Sequence, residues 1–104
     1  MTGVERHPSA DLDDITHQRV RLGVLGVLNE ADRATFGHLR DALEVTDGNL
    51  SAHLTVLAEA GMVKLDKGFE GRRPRTWVWA TGRGRRAFRD EIETLRRLVA
   101  RVRI

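Results

Sequence analysis

Short polar side chains cluster on one side of a helix predicted between Thr46 and Ala60. Leu50, Leu54 and Leu57 repeat at helical spacing and form a buried stripe. The opposite side carries Gly48, Ala52, Thr55 and Glu59, flanked by Asn49, Ser51 and Val56, and in its front half the side chains are short. We expect DNA contacts from six residues at the front of the helix: Asp47, Gly48, Asn49, Ser51, Ala52 and Thr55. Short residues let a helix enter a DNA major groove, and amide or hydroxyl groups reach base edges and phosphates. The pattern indicates a DNA contact, and an ordinary amphipathic surface helix is the alternative.

Positive charge is concentrated in the second half of the chain. The formal net charge is +3, yet nine basic residues and only two acidic ones lie between Lys64 and Arg89. Such asymmetry favours a polyanionic partner. Four of the basic residues surround a predicted hairpin tip that contains Gly68, Gly71 and Pro74: Lys67, Arg72, Arg73 and Arg75. We expect one arginine, Arg72 or Arg73, to enter a minor groove and the others to contact phosphate.

The sequence shows no pattern of an enzyme or a metal site. Cysteine is absent, and the histidines (His7, His17, His38 and His53) include no pair spaced three or four residues apart. No nucleophile has an identifiable base, and no loop has the glycine spacing of a phosphate cradle. We expect His53 to pack beside the leucine stripe rather than to bind a metal. Neither a signal peptide nor a membrane span is visible, so we predict a cytoplasmic protein. Because no motif of a cofactor site is present, we expect no cofactor.

Periodicity and breakers predict a mainly α protein with one small β-hairpin, an α+β fold. The predicted elements are a loose tail (1–11), helices (12–29, 36–43 and 47–60), a strand (63–66), a loop (68–75), a strand (76–80) and a last helix (81–104). Thr46 or Asp47 caps the third helix, Gly61 ends it, and Thr81 caps the last. Helix, helix, turn, helix, hairpin, helix is the order of a winged helix-turn-helix domain, spanning 12–104.

The last helix carries a seam that predicts a homodimer. Its apolar residues repeat at heptad spacing: Phe88, Ile92, Leu95, Val99 and Val102. Gly23 and Gly26, three residues apart in the first helix, would share a face and lie beside this seam at the interface. Two alternatives stay open, namely that the glycines are merely tolerated and that the last helix folds back on its own domain.

Trp77 and Trp79 stand at alternate positions of the returning strand, with Val78 and Ala80 between and after them. Because strand side chains alternate, both indole rings should lie on the outer face of the hairpin. We expect them to pack on a neighbouring helix or a partner subunit, and a contact with an effector is the alternative.

Two stretches also resemble a known family. The run His53-Leu54, Leu57, Ala60-Gly61 and Val63 looks like the recognition helix and wing entry of ArsR- and MarR-type regulators. TDGNLSAHL together with GFEGRRPRTW resembles short bacterial winged-helix DNA-binding regulators, and the likeness spans Asp13 to Arg89.

The resemblance implies sequence-specific binding of duplex DNA and transcriptional control, usually by a homodimer. By position, the recognition helix is Asp47–Ala60 and the wing is Lys67–Arg75. ArsR-type metal sensors use cysteine ligands, or acidic and histidine ligands in the last helix, and this chain departs from both patterns. An unidentified effector, small molecule or protein, stays open. The alternative function is a winged-helix protein-interaction module that does not read DNA.

Overall fold

The computed structural model describes residues 3–103, so Met1, Thr2 and Ile104 of the predicted tail and last helix lie outside it. Four α-helices and three strands follow one short 3-10 helix, Pro8–Asp11: α1 (Arg19–Glu30), β1 (Ala34–Thr35), α2 (Phe36–Leu43), α3 (Asp47–Glu59), β2 (Val63–Glu70), β3 (Arg73–Ala80) and α4 (Gly82–Ala100). This confirms the mainly α, α+β winged helix-turn-helix fold. No helix in residues 3–103 is long and apolar enough to cross a membrane.

Threonine side chains start three of the helices. The hydroxyls of Thr35, Thr46 and Thr81 accept hydrogen bonds from the N–H groups of His38, Asn49 and Gly84. Each bond satisfies an N–H that has no partner within its helix. Thr46, rather than Asp47, is therefore the residue that caps α3.

Gly61 ends α3, as predicted. It adopts a left-handed φ of +74° and donates its N–H to the carbonyl of Ala58. The next N–H, from Met62, bonds to the carbonyl of Leu57. This is the Schellman arrangement, in which a glycine tolerates the φ that other residues resist. It turns the chain sharply from α3 into β2.

The sheet has the order β1-β3-β2 with all neighbours antiparallel. The predicted loop 68–75 is wrong, because the strands continue through it to a two-residue turn at Gly71 and Arg72. Gly71 has a φ of +63°, which such tight hairpin turns require. Pro74 is tolerated because β1 reaches only Trp77 and Val78, so one edge of β3 at Pro74 is free. The short strand β1 was not predicted either.

The predicted first helix begins seven residues too early. Asp13 accepts hydrogen bonds from the N–H groups of Ile15 and Thr16 through one carboxylate oxygen, which closes a turn. Gln18 is extended and its side chain accepts from the N–H of Arg21, which caps α1 at Arg19. Such local side-chain bonds compete with helix formation. The 3-10 helix within the predicted loose tail packs against α4.

The core lies between α1, α2, α3 and the sheet. Its fully buried side chains include Val24, Leu25, Leu28, Leu39, Leu50, Leu57 and Val78. The molecule is elongated, with extents of 66 × 29 × 23 Å and a radius of gyration of 16.2 Å. A compact chain of this length has a radius of about 13 Å. The elongated shape means that parts of the chain project beyond the core.

Candidate nucleic-acid interface

The helix α3 presents the predicted short residues to solvent. Leu50, Leu54 and Leu57 are buried, whereas all six residues expected to contact DNA are exposed: Asp47, Gly48, Asn49, Ser51, Ala52 and Thr55. No neighbour lies within contact distance of a Cβ placed on Gly48. The recognition surface is therefore accessible to a ligand, and its side chains are short in the N-terminal half of α3.

One hydroxyl on this surface is already engaged. The Oγ1 of Thr55 donates to the carbonyl of Ser51 at 3.0 Å, one helical turn back. Its proton is then unavailable to a base, and the group offers its lone pairs and its methyl instead. The Thr55 oxygen can therefore accept a hydrogen bond from a donor on a base edge, and its methyl group can contact a thymine methyl.

Arg40 of α2 reaches across the helix-turn-helix to Asp47. Its NH1 donates to an Asp47 carboxylate oxygen at 3.0 Å, and its Nε donates to Asp41 at 2.9 Å. Both partners raise the pKa of Arg40, mainly through these hydrogen bonds, and Arg40 lowers the pKa of Asp41. The charge of Asp47 is therefore partly compensated within the chain, because Arg40 is shared with Asp41. Sequence reasoning missed Arg40, because its seven-residue separation from Asp47 spans a turn.

The wing consists of β2 and β3, and its two faces differ. Val63, Val78 and Ala80 are buried at the base of one face. Side-chain alternation and the strand register extend this inner face through Leu65, Lys67, Phe69, Pro74 and Thr76. The outer face carries Lys64, Asp66, Gly68, Glu70, Arg73, Arg75, Trp77 and Trp79. Arg72 lies in the turn between the strands.

The predicted wing residues are exposed except Arg75, which is half-buried. Arg75 Nε donates to Glu70 at 3.3 Å on the outer face. Lys67 is on the inner face, so the four basic residues do not form one patch. Arg72 and Arg73 at the tip have no acidic partner within salt-bridge distance among residues 3–103.

Trp77 and Trp79 lie on the outer face, as the alternation predicted, and both are half-buried. The guanidinium of Arg33 lies 3.8 Å from the centre of the Trp77 ring. Trp77 Nε1 also donates to the carbonyl of Phe69 at 3.3 Å. Trp77 therefore packs on its own chain and braces the wing, while its contact with a partner subunit or effector stays a prediction.

His53 lies half-buried between α3 and the start of α1. Burial lowers its pKa first, and the positive charges of Arg21 and Arg19 lower it further. A neutral imidazole on the flank of the leucine stripe fits the packing role predicted for it. In residues 3–103, no three metal-ligating side chains gather at a common point.

The helix α4 is only partly covered. Phe88 packs against Gly26, and Leu95 is half-buried, but Ile92 and Val99 are 36% and 70% exposed. Val102 follows the end of α4, so the heptad seam is shorter than predicted.

The two glycines of α1 do not share a contact. A Cβ on Gly23 would lie 2.6 Å from Leu43 of α2, whereas one on Gly26 would meet Phe88 of α4. The space beside each glycine is therefore filled by a side chain of the same chain. The packing of α1 against α2 and α4 explains why both residues are small. Their predicted place in a dimer interface gains no support from this packing.

A buried carboxylate anchors the N-terminal segment to α4. Glu91, 1% exposed, accepts from the N–H of Asp13 and contacts His17 Nδ1 at 2.8 Å. Arg97 bonds to Asp11 at 3.1 Å nearby. The sequence did not predict this contact, because the partners are more than 70 positions apart.

A basic wing beside an exposed, low-profile recognition helix defines a winged helix DNA-binding protein. The sequence profile of that family, the winged helix DNA-binding domain, matches residues 20–99, and the chain belongs to it. An uncharacterized protein of Methanocaldococcus jannaschii is 37% identical over 73 residues, which cover 70% of this chain and 79% of that protein. The family and the regulator structures described next point to a DNA-binding regulator.

Solved structures show the same fold. A transcriptional regulator homologue from Pyrococcus horikoshii is 32% identical, with a TM-score of 0.77 over 83% of this chain and 85% of its own. The transcriptional regulator MOSR of M. tuberculosis, solved in complex with DNA, is 20% identical, with a TM-score of 0.70 over 89% of this chain and 66% of its own. The second likeness supports the fold alone.

Proposed function

We propose that the protein is a sequence-specific regulator of transcription that binds duplex DNA as a homodimer. The observation that carries the proposal is the face of α3 on which every residue expected to contact DNA is short and exposed, with open space beside Gly48. In this arrangement α3 lies in the major groove, and its N-terminal half reads base edges through Asn49, Ser51 and Ala52.

The wing supplies the second DNA contact. Arg72 and Arg73 project at its tip, at the end of paired strands that hold them away from the core. A cation held on a paired ribbon loses less conformational freedom on binding than one on a loose loop. The wing then lies over the minor groove and phosphates beside the site that α3 reads, with Arg72 or Arg73 in the groove.

Dimerisation through α4 would create two such surfaces. Val99 and Ile92 are exposed apolar residues on a helix of an elongated chain, which a second copy would cover. Two recognition helices then reach half-sites about one helical turn, 34–36 Å, apart. The interface consists of Ile92, Leu95 and Val99, with Phe88 at its inner end.

Fluorescence anisotropy with labelled duplexes tests the proposal. The probes are a pool of random duplexes of roughly 30 base pairs, enough for two half-sites one turn apart, and the duplex most enriched from it. The wild-type chain should bind the enriched duplex at least about a thousandfold more tightly than the pool. Ala52→Glu should abolish this preference, because a carboxylate would face the bases and phosphates.

Ala10→Glu is the matched control, since it adds the same charge to the exposed 3-10 helix that packs on α4. It should bind like the wild type. Binding that does not distinguish the enriched duplex from the pool contradicts sequence-specific reading. A complete lack of duplex binding at low salt would favour the alternative, a protein-interaction module. A cytoplasmic location and an effector stay predictions that depend on this result.

A further inference from the structure

An apolar side chain projects from the basic wing. Phe69 is 67% exposed and lies directly opposite Pro74 in the register of β2 and β3. Directly opposed residues of antiparallel strands project to the same side, so Phe69 and Pro74 form an apolar pair on the inner face. Single exposed apolar residues are common on protein surfaces. The position of Phe69 on the wing and the residues around it indicate that this side chain contacts a ligand.

The inner face continues the recognition surface of α3. Leu65 borders a groove of about 200 Å³ together with Ser51 and Thr55 of α3. Lys67 and Phe69 follow Leu65 at steps of two residues, so they project to the same side of the wing. A ligand that contacts α3 therefore meets Lys67 and then Phe69 as it extends along the wing.

The carboxylates of the wing lie on one face only. Both acidic residues of β2, Asp66 and Glu70, lie on the outer face, where Glu70 pairs with Arg75. Lys67 is the only charged residue of the inner face. The outer face also carries Lys64, Arg73 and Arg75, so its net charge of 3 − 2 = +1 equals that of the inner face. The inner face differs in that its cation has no carboxylate beside it to repel a polyanion.

We propose that Phe69, backed by Pro74, enters the minor groove of the bound duplex and packs against its deoxyribose walls, while Lys67 pairs with an adjacent phosphate. The inference rests on the proposed function. The minor groove is about 6 Å wide, which admits a side chain but not a two-stranded ribbon. Apolar residues inserted into this groove are a known means of holding DNA. Phe69 thereby adds apolar contact to the electrostatic contacts of the wing tip.

The two lysines of the chain provide a matched pair for the test. Lys64 and Lys67 are both exposed and lie on the same strand, but on opposite faces. The probe is the duplex of roughly 30 base pairs enriched by the wild-type chain. Lys67→Ala should lower the slope of log K against log salt concentration by about 0.9 for each wing bound. Lys64→Ala should leave the slope as it is in the wild type.

Phe69 is tested by affinity and by salt slope together. Phe69→Ala should weaken binding about tenfold for each wing, because the variant loses the phenylalanine surface that the bound DNA would bury. The slope should not change, since an apolar contact releases no counterions. Phe69→Leu should retain most of the affinity. Thermal unfolding of both variants should match the wild type, because the side chain is exposed in the free protein.

Four results would overturn the inference. Wild-type affinity in Phe69→Ala removes Phe69 from the DNA and leaves the proposed function intact. A slope for Lys67→Ala no lower than that for Lys64→Ala means that the inner face is not preferred, and it also leaves the proposed function intact. A change in sedimentation of Phe69→Ala without DNA would assign the side chain to a contact between copies. If the wild-type chain binds no duplex, the proposed function fails, and this inference fails with it.

Discussion

Arg40 and Asp47 join the two helices of the helix-turn-helix through a 3.0 Å hydrogen-bonded ion pair. Asp47 is in the first turn of α3, where a carboxylate interacts well with the helix dipole but would repel a DNA phosphate. The guanidinium of Arg40 compensates that charge on the side of α2. Arg40 is shared with Asp41, so it reduces the negative charge that the N-terminal end of α3 presents to DNA without cancelling it.

Removing Arg40 should weaken DNA binding by exposing the charge of Asp47. We expect Arg40→Gln to lower affinity about fivefold, because the Asp47 carboxylate then repels nearby DNA phosphates without a cation bonded to it. Asp47→Asn in the same chain should restore the affinity. Anisotropy titrations of both single variants and the double variant form the thermodynamic cycle. A double variant as weak as Arg40→Gln would mean that Arg40 contacts phosphate directly.

Asn49 should determine sequence preference at one base pair. Its backbone N–H is occupied by the Thr46 cap, whereas its side chain is exposed on the recognition face. We expect Asn49→Ala to cost about 1–3 kcal/mol on the enriched duplex and much less on random DNA. Asn29→Ala, at an exposed position near the end of α1, is the control and should change neither. Equal losses on the two DNAs would exclude a base contact by Asn49.

The helices α2 and α3 could be predicted from the sequence because their signals are local. Threonine caps, the spacing of three leucines and the glycine stop at Gly61 act within a few residues, and the structure has α2 over the predicted range. The exposed face of α3 follows from the same spacing. The α3 half of the candidate interface is therefore encoded in short-range sequence patterns.

The remaining features depend on contacts between distant residues. The pairing of β1 with β3, the clamp between Glu91 and His17, and the pair of Arg40 with Asp47 all require the tertiary fold. The inner face of the wing was missed because Gly68 and Pro74 are typical of loops, which hid the strand alternation that places Phe69. Strand breakers are tolerated here since one edge of the hairpin is unpaired.

Val99 should be required for dimerisation but not for folding. Its side chain is 70% exposed in the single chain, so Val99→Glu should leave the unfolding temperature of the domain nearly unchanged. A carboxylate buried against a second copy should weaken the dimer at least about tenfold. Sedimentation at micromolar concentrations measures the change, and Val4→Glu, at a 96% exposed position, is the control. A wild-type monomer at these concentrations would contradict the dimer through α4.

Protonation of His53 should destabilise the fold in acid. Its pKa is lowered from the ordinary 6.5 by burial and by Arg21 and Arg19, so the native state stays neutral where the unfolded chain takes up a proton. The unfolded state then binds more protons below pH 6.5, and the free energy of unfolding falls as the pH falls. Below the pKa of His53 in the native state both states carry the proton, so the free energy of unfolding falls no further through this group.

Denaturant unfolding between pH 7 and about 5.5 measures this dependence. We expect His53→Gln to flatten the pH profile relative to the wild type. His38→Gln, at an exposed position of α2, should keep the wild-type profile. A steeper fall in His53→Gln than in the wild type would reverse the sign and show that the native fold favours the charged imidazole.

Arg72 and Arg75 should differ in their contribution to DNA binding, although both belong to the basic wing. Arg72 lies in the turn and has no acidic partner within salt-bridge distance among residues 3–103, whereas Arg75 is half-buried and bonded to Glu70. A guanidinium that already has a carboxylate partner gains less from a phosphate and releases fewer counterions. Arg72→Ala should therefore lower the salt slope of log K by about 0.9 for each wing bound, and Arg75→Ala by less than half of that.

Glu70→Gln should free Arg75, so that Arg75→Ala in this background lowers the slope more than it does in the wild type. Salt titrations on the enriched duplex compare all four proteins with the wild type. Equal slope losses for Arg72→Ala and Arg75→Ala in the wild-type background would mean that the outer-face ion pair breaks on binding and that the wing contacts DNA with both faces.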